Sequence, residues 1–100
     1  MILLTRRDFK ERVLERDNEE CVICGAEAVD AHHITERRLW PDEGLYMENG
    51  VTLCTPCKKK AEATEVSCEH LRQAAGISVV VLPPNFEEGV YDHWGNAILT

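Results

Sequence analysis

The chain has 100 residues, 44% of them hydrophobic and 29% charged, a balance that predicts one globular unit and excludes a disordered or fibrous chain. Eleven Lys and Arg against 18 Asp and Glu leave a formal charge of −7, which argues against a broad basic surface for polyanions. No apolar run approaches the ~20 residues that cross a bilayer, and Met1–Leu4 leads straight into Thr5, Arg6 and Arg7, so an intracellular, cytoplasmic chain with no membrane association is expected.

Thr5 is placed to cap a first helix, with Asp8 completing a capping-box pattern and Leu4 and Phe9 stapling the entry. Phe9, Val13 and Leu14 form its apolar stripe, which ends near Asp17 and Asn18. The pair Cys21-Val22-Ile23-Cys24 follows, closed by Gly25. Residues 28–34 read as a strand, and residues 35–48 as a loop marked by Pro41-Asp42-Glu43-Gly44, with Trp40 as its anchor. Asn49-Gly50 is a turn dipeptide, and Val51-Thr52-Leu53 a second short strand leading into Cys54-Thr55-Pro56-Cys57. Thr55 then caps a helix with Pro56 in its first position, running to about Ala63. Ser67 caps another, with Leu71, Ala74 and Ala75 inside, Cys68 an ordinary helix cysteine and Gly76 the stop. Residues 79–82 read as a buried strand ended by Pro83-Pro84. Beyond it, residues 83–100 form a turn-rich extension to a domain spanning residues 1–82. His70 and His93 look like surface residues, His70 being worth testing as a ligand.

Charge is unevenly spread. Residues 1–60 are net −2 and residues 61–100 net −5, while the basic groups gather at Arg6-Arg7, Arg37-Arg38 and Lys58-Lys59-Lys60. A polyanion site must therefore be local, with the acidic end facing away from it. Five cysteines in a reducing compartment argue against a disulfide framework. Two Cys-x-x-Cys pairs 29 residues apart point instead to one closed tetrahedral zinc site of Cys21, Cys24, Cys54 and Cys57. In a chain this small, that ion is expected to carry much of the folding free energy.

Between the cysteine pairs lie Asp30-Ala31-His32-His33-Ile34 and Asn49-Gly50-Val51-Thr52-Leu53-Cys54. Taken singly, the histidines read equally as core or solvated residues, and Asn49 reads as an ordinary turn residue. Together, a His-His-Ile step, an Asn-Gly before the second strand and a Cys-x-x-Cys opening a helix resemble the HNH endonuclease family over residues 9–62. The likeness is greatest to phage and prophage members, through residues 36–42 and 74–77. It implies a small α+β fold: a ββα-metal core over residues 20–63 with a four-cysteine zinc site and flanking helices. It further implies a DNA-directed phosphodiester hydrolase working with Mg²⁺ or Mn²⁺, with phage or host proteins as possible partners or a longer parent protein. By resemblance, His32 is a ligand of the catalytic ion, His33 the general base, and Asn49 the brace that orients His33. Adjacent strand residues face opposite ways, so both imidazoles share one site only where the backbone leaves strand geometry.

The family's closing histidine is replaced here by Lys58, whose ammonium has no lone pair to donate. Glu62, one helical turn on, is placed to coordinate in its stead, or Lys58 itself stabilises the phosphate. Arg37 and Arg38 are placed to hold the phosphate backbone, although exposed solubilising charge explains them equally well. The alternatives are a zinc-stabilised module that binds nucleic acid without cutting it, and a protein-interaction module suited to the net charge of −7.

Overall fold

In the computed structural model, which describes residues 1–98, the first helix α1 (Arg6–Arg16) begins where the Thr5 hydroxyl accepts the Asp8 amide at 3.1 Å. Phe9 and Val13, one turn apart, are its buried residues, while Leu14 is half-buried. They lie on a two-stranded antiparallel ribbon of β1 (Ala31–His33) and β2 (Gly50–Thr52), in the register Ala31–Thr52, His32–Val51 and His33–Gly50. Both strands are shorter than, or offset by a residue from, the sequence-based spans. Gly50 also does not serve as a turn residue: its φ is −132°. A Cβ there would lie 2.6 Å from Phe9 Cζ and 2.7 Å from Val13 Cγ2, so glycine is required by the close approach of α1. Gly50→Ala is expected to cost about 2–3 kcal/mol by overpacking, read as a lowered urea midpoint at unchanged slope.

The end of α1 is tied to the ribbon by charge. The Arg16 guanidinium donates to both Asp17 carboxylate oxygens, at 2.8 and 2.9 Å, and to the carbonyls of Met47 and Gly50. Asp17 in turn accepts the Thr52 amide at 2.9 Å.

Beyond β2 come α2 (Thr55–Glu62) and α3 (Cys68–Ala75). The cap of α2 is Cys54 rather than Thr55, one residue earlier than the sequence suggests. The Lys58 amide donates to the Cys54 carbonyl at 2.9 Å, and no side chain caps the helix. Ser67 and left-handed Gly76 (φ 71°) bound α3 as expected. Its buried residues are Cys68, Leu71 and Arg72, with Ala75 half-buried and Ala74 exposed; 68, 71, 72 and 75 trace one helical face that 74 misses. Ile34, Val51, Leu53, Ala61, Cys68 and Leu71 form the main core on this side of the ribbon, while Phe9, Val13 and Leu45 form a smaller cluster under α1.

One expectation fails toward the C-terminus. Residues 79–82 form no strand: Val79 and Val80 are 58% and 50% exposed and only Val81 is buried. An aliphatic run becomes a strand only beside a partner, and no hydrogen bond joins this one to the ribbon. The following stretch is turn-rich and packs back on the domain. Tyr91 pairs with Ala97, and Asp92 and His93 are buried against α3 and the exit of β1. Residues 99 and 100 of the expected extension lie outside the described residues. Among the described residues, no helix is long and apolar enough to cross a membrane.

Candidate metal centre and the histidine-bearing ribbon end

The four cysteines of the two pairs come together as the sequence spacing demands. Their sulfurs all lie within 4.8 Å of one another, with Cys24 and Cys54 at 3.5 Å. Sulfurs around one tetrahedral zinc, at ~2.3 Å per bond, stand about 3.8 Å apart, so the cluster needs little adjustment to hold an ion. The first knuckle is closed by the Cys21 amide on the Ala26 carbonyl at 2.7 Å and the Gly25 amide on the Cys21 carbonyl at 2.9 Å, with Gly25 left-handed (φ 78°). It is stitched to the ribbon through the Val22 amide and the Thr52 carbonyl at 3.0 Å.

Four thiols this close cannot all ionise without a cation. Burial acts to raise Cys21, but the amides of Cys24, Cys54 and Ile23 outweigh it and pull the thiol down to about 6. Burial and the neighbouring sulfurs push Cys57 up to about 12. A dication removes that conflict by neutralising thiolates that otherwise repel one another. Cys21 and Cys57 are buried and Cys24 is exposed, so the cluster sits at the surface with one open side. Four close cysteines able to hold zinc or another metal are therefore a property of the fold.

At the far end of the ribbon, β1 sends its two histidines to opposite faces. His33 turns toward α1 and stacks on Phe9, with ring centroids 4.8 Å apart. Its Nε2 lies 2.9 Å from the Glu43 carbonyl. A carbonyl can only accept, so Nε2 carries the proton and Nδ1 is left as a free lone pair. Burial holds the imidazole below its ordinary pKa against the opposing pull of that carbonyl.

The loop that supplies the carbonyl is braced by Asn49, which is fully buried. Its Oδ1 accepts from the Thr35 amide at 3.0 Å and the Thr35 hydroxyl at 2.7 Å, and its Nδ2 donates to the carbonyls of Thr35 and Gly44 at 3.2 Å each. Asn49 thus does not touch His33; it fixes the residue next to the one His33 touches. Glu43 itself is left-handed (φ 68°), a costly conformation for a residue with a side chain, held by its surroundings. Its carboxylate pairs with Arg6. Trp40 anchors the loop as expected: it is buried, donates to the Thr35 hydroxyl at 3.0 Å and packs against Tyr46.

His32 faces the other way. It is 5% exposed, and its Nε2 is buried without a hydrogen-bond partner. Burial, then the charges of His93, Lys58 and His33, depress its pKa to about 3. The two adjacent imidazoles therefore flank the ribbon end instead of sharing one face, because His33 keeps strand pairing with Gly50. His93 is the larger surprise: it is 6% exposed, not a surface residue, and packs against His32 with centroids 4.5 Å apart and the rings tilted by 30°. Trp94 packs edge-on to His93, and its indole N–H reaches the Glu62 carbonyl at 2.7 Å. That bond brings the Glu62 backbone to this side, with its side chain exposed. Among the described residues, the four cysteines are the only group of three or more ligand-bearing side chains close enough to share an ion, so His32, His93 and Glu62 form no closed triad. Lys58 is half-buried, and His70 is exposed on α3.

A cleft of about 210 Å³ opens beside His33, its charged border formed by Arg6, Lys10, Asp30, Arg37 and Glu43. Arg37 lines it and Arg38 does not. Arg6 belongs to a basic cluster that the sequence shows, but Lys10 was missed, since nothing in a helix pattern says which charged face will meet a distant loop. His93 was missed because a histidine in a turn-rich segment carries no periodicity. No family model matches the sequence, and no curated protein or solved structure matches the chain.

Proposed function

We propose that the chain is an HNH-type nuclease domain in which a four-cysteine zinc pins a ββα-like core and His33 is the base for phosphodiester hydrolysis in DNA. The observation that carries this reading is His33 itself. One ring nitrogen is fixed by the Glu43 carbonyl and the other is a free base, beside a cleft lined by three cationic side chains and by the carboxylates of Asp30 and Glu43. A neutral imidazole is matched to taking a proton from water near pH 7, and burial keeps His33 neutral there. Lys10 and Arg37 offer donors to phosphate oxygens, while Arg6 is paired with Glu43. His32 fits a divalent ion, because a buried nitrogen without a partner is what an absent ligand leaves. Because His32 and His33 flank the ribbon end on opposite faces, such an ion, Mg²⁺ or Mn²⁺ among the candidates, would supply Lewis-acid stabilisation of the developing phosphorane charge only to a phosphate that spans that end.

Lys58 favours a second reading. Its cation stands close enough to His32 to lower that imidazole's pKa, which opposes a metal ion at the same place and suits a module that holds nucleic acid without cutting it. Supercoiled-plasmid nicking by the zinc-loaded chain, with Mg²⁺, Mn²⁺ or Ni²⁺, separates the two. Nicking that falls about 100-fold or more in His33→Ala supports the nuclease. Nicking gained only in Lys58→His indicates a site disabled by the lysine. DNA binding without nicking in all three proteins supports the binding module, and neither activity leaves a protein-interaction role.

A further inference from the structure

We infer that His93, contributed by the C-terminal segment, is a second ligand beside His32 for a borderline divalent ion such as Ni²⁺, taking over the role that the helix position occupied by Lys58 cannot fill. The inference rests on the reading of His32 given above and deepens it.

The first support is how firmly His93 is aimed. Its Nδ1 lies 3.0 Å from the Ile34 carbonyl, which can only accept, so the proton is on Nδ1 and Nε2 keeps a lone pair. An imidazole that donates one nitrogen to a backbone carbonyl and presents the other is the usual state of a metal-ligating histidine. The His93 carbonyl accepts the Glu36 amide at 2.9 Å, so main chain and ring are both fastened to the exit of β1. Asp92 holds the turn through the amides of Trp94 and Asn96 at 2.9 and 3.0 Å. Cys68 ties it to α3, donating its thiol to the Asp92 carbonyl at 3.2 Å and its amide to the Tyr91 carbonyl at 2.9 Å.

The second support is what the turn delivers His93 to. His32 is buried, has an unpartnered Nε2, and lies ring to ring with His93 at 4.5 Å and 30°. Ordinary core histidines satisfy both nitrogens; an orphaned one asks for a partner. Two neutral imidazoles without a carboxylate suit Ni²⁺, Co²⁺ or Zn²⁺ better than Mg²⁺. With only two protein ligands and Lys58 nearby, the site is weak and exchangeable, and water completes the coordination.

Calorimetric titration of the zinc-loaded full chain with Ni²⁺ tests this, read together with paramagnetic broadening of the histidine side-chain NMR signals. One Ni²⁺ per chain beyond the zinc is expected, broadening His32 and His93 before His33 and His70. His93→Asn keeps an N–H for the Ile34 carbonyl while removing Nε2, and is expected to weaken Ni²⁺ binding by about tenfold or more; His70→Ala should leave it unchanged. No Ni²⁺ uptake, broadening centred on other histidines, or equal affinity in folded, zinc-containing His93→Asn would overturn the assignment. If His93→Asn fails to fold, the broadening pattern of the parent decides. Ni²⁺ held at His32 and His93 without nicking sinks the nuclease reading alone, whereas nicking with no Ni²⁺ uptake sinks the ligand pair alone.

Discussion

Stripping the metal from the four-cysteine site is expected to unfold the chain. Zinc held by four thiolates contributes ~10–16 kcal/mol at pH 7 in small domains, and a whole domain of this size is stable by only ~5–15 kcal/mol. The metal term is thus as large as the total. The structure shows why nothing else takes its place: the ribbon has three residues per strand, and the first knuckle reaches it through the single Val22–Thr52 bond. Exposed Cys24 gives a chelator access. Far-UV circular dichroism is expected to lose its helical signal on adding excess chelator and to regain it when zinc is restored. Because binding requires deprotonated thiols, the same loss is expected on acidification, with affinity falling as pH falls.

The second large effect is expected at Asn49. Truncation to alanine removes four hydrogen bonds at once and leaves the Thr35 amide and the Thr35 carbonyl without their partner inside the protein, while the Gly44 carbonyl keeps the Tyr46 amide. At ~1–3 kcal/mol for each buried group left unsatisfied, and with the Thr35 hydroxyl oxygen still accepting from the Trp40 indole N–H, the cost is about 3–5 kcal/mol. For a domain of 100 residues that lowers the melting temperature by roughly 15–30 °C. Asn49→Asp keeps the two accepted bonds but sets a carboxylate against the carbonyls of Thr35 and Gly44, so it is expected to be destabilised as well. A loss below 1 kcal/mol in Asn49→Ala, measured by urea unfolding, would mean that the loop does not depend on this brace.

The parts legible in sequence were those with local causes. Thr5, Ser67 and Gly76 set helix ends through bonds to residues within a turn or two, and the structure has all three. The paired cysteines announced a shared ion by their spacing, and their sulfurs do converge. The readings that failed depended on tertiary context. Gly50 looks like a turn residue until α1 is laid against it. Residues 79–82 have strand composition but pair with neither edge of the two-stranded ribbon. Thr55 is a better cap than cysteine by side-chain chemistry, yet Cys54 takes the position, where the second cysteine pair opens the helix. His93 could be located only once the chain returned to the exit of β1, through contacts 59 residues apart in sequence.

The central claim is that one sulfur-bound ion pins the ribbon whose end carries the histidines. X-ray absorption at the zinc edge of the purified chain tests it most directly. Four sulfur scatterers at ~2.3 Å, in a stoichiometry of one zinc per chain, are the expected result. A chain that is folded and free of metal, or a zinc shell containing nitrogen in place of sulfur, would contradict it.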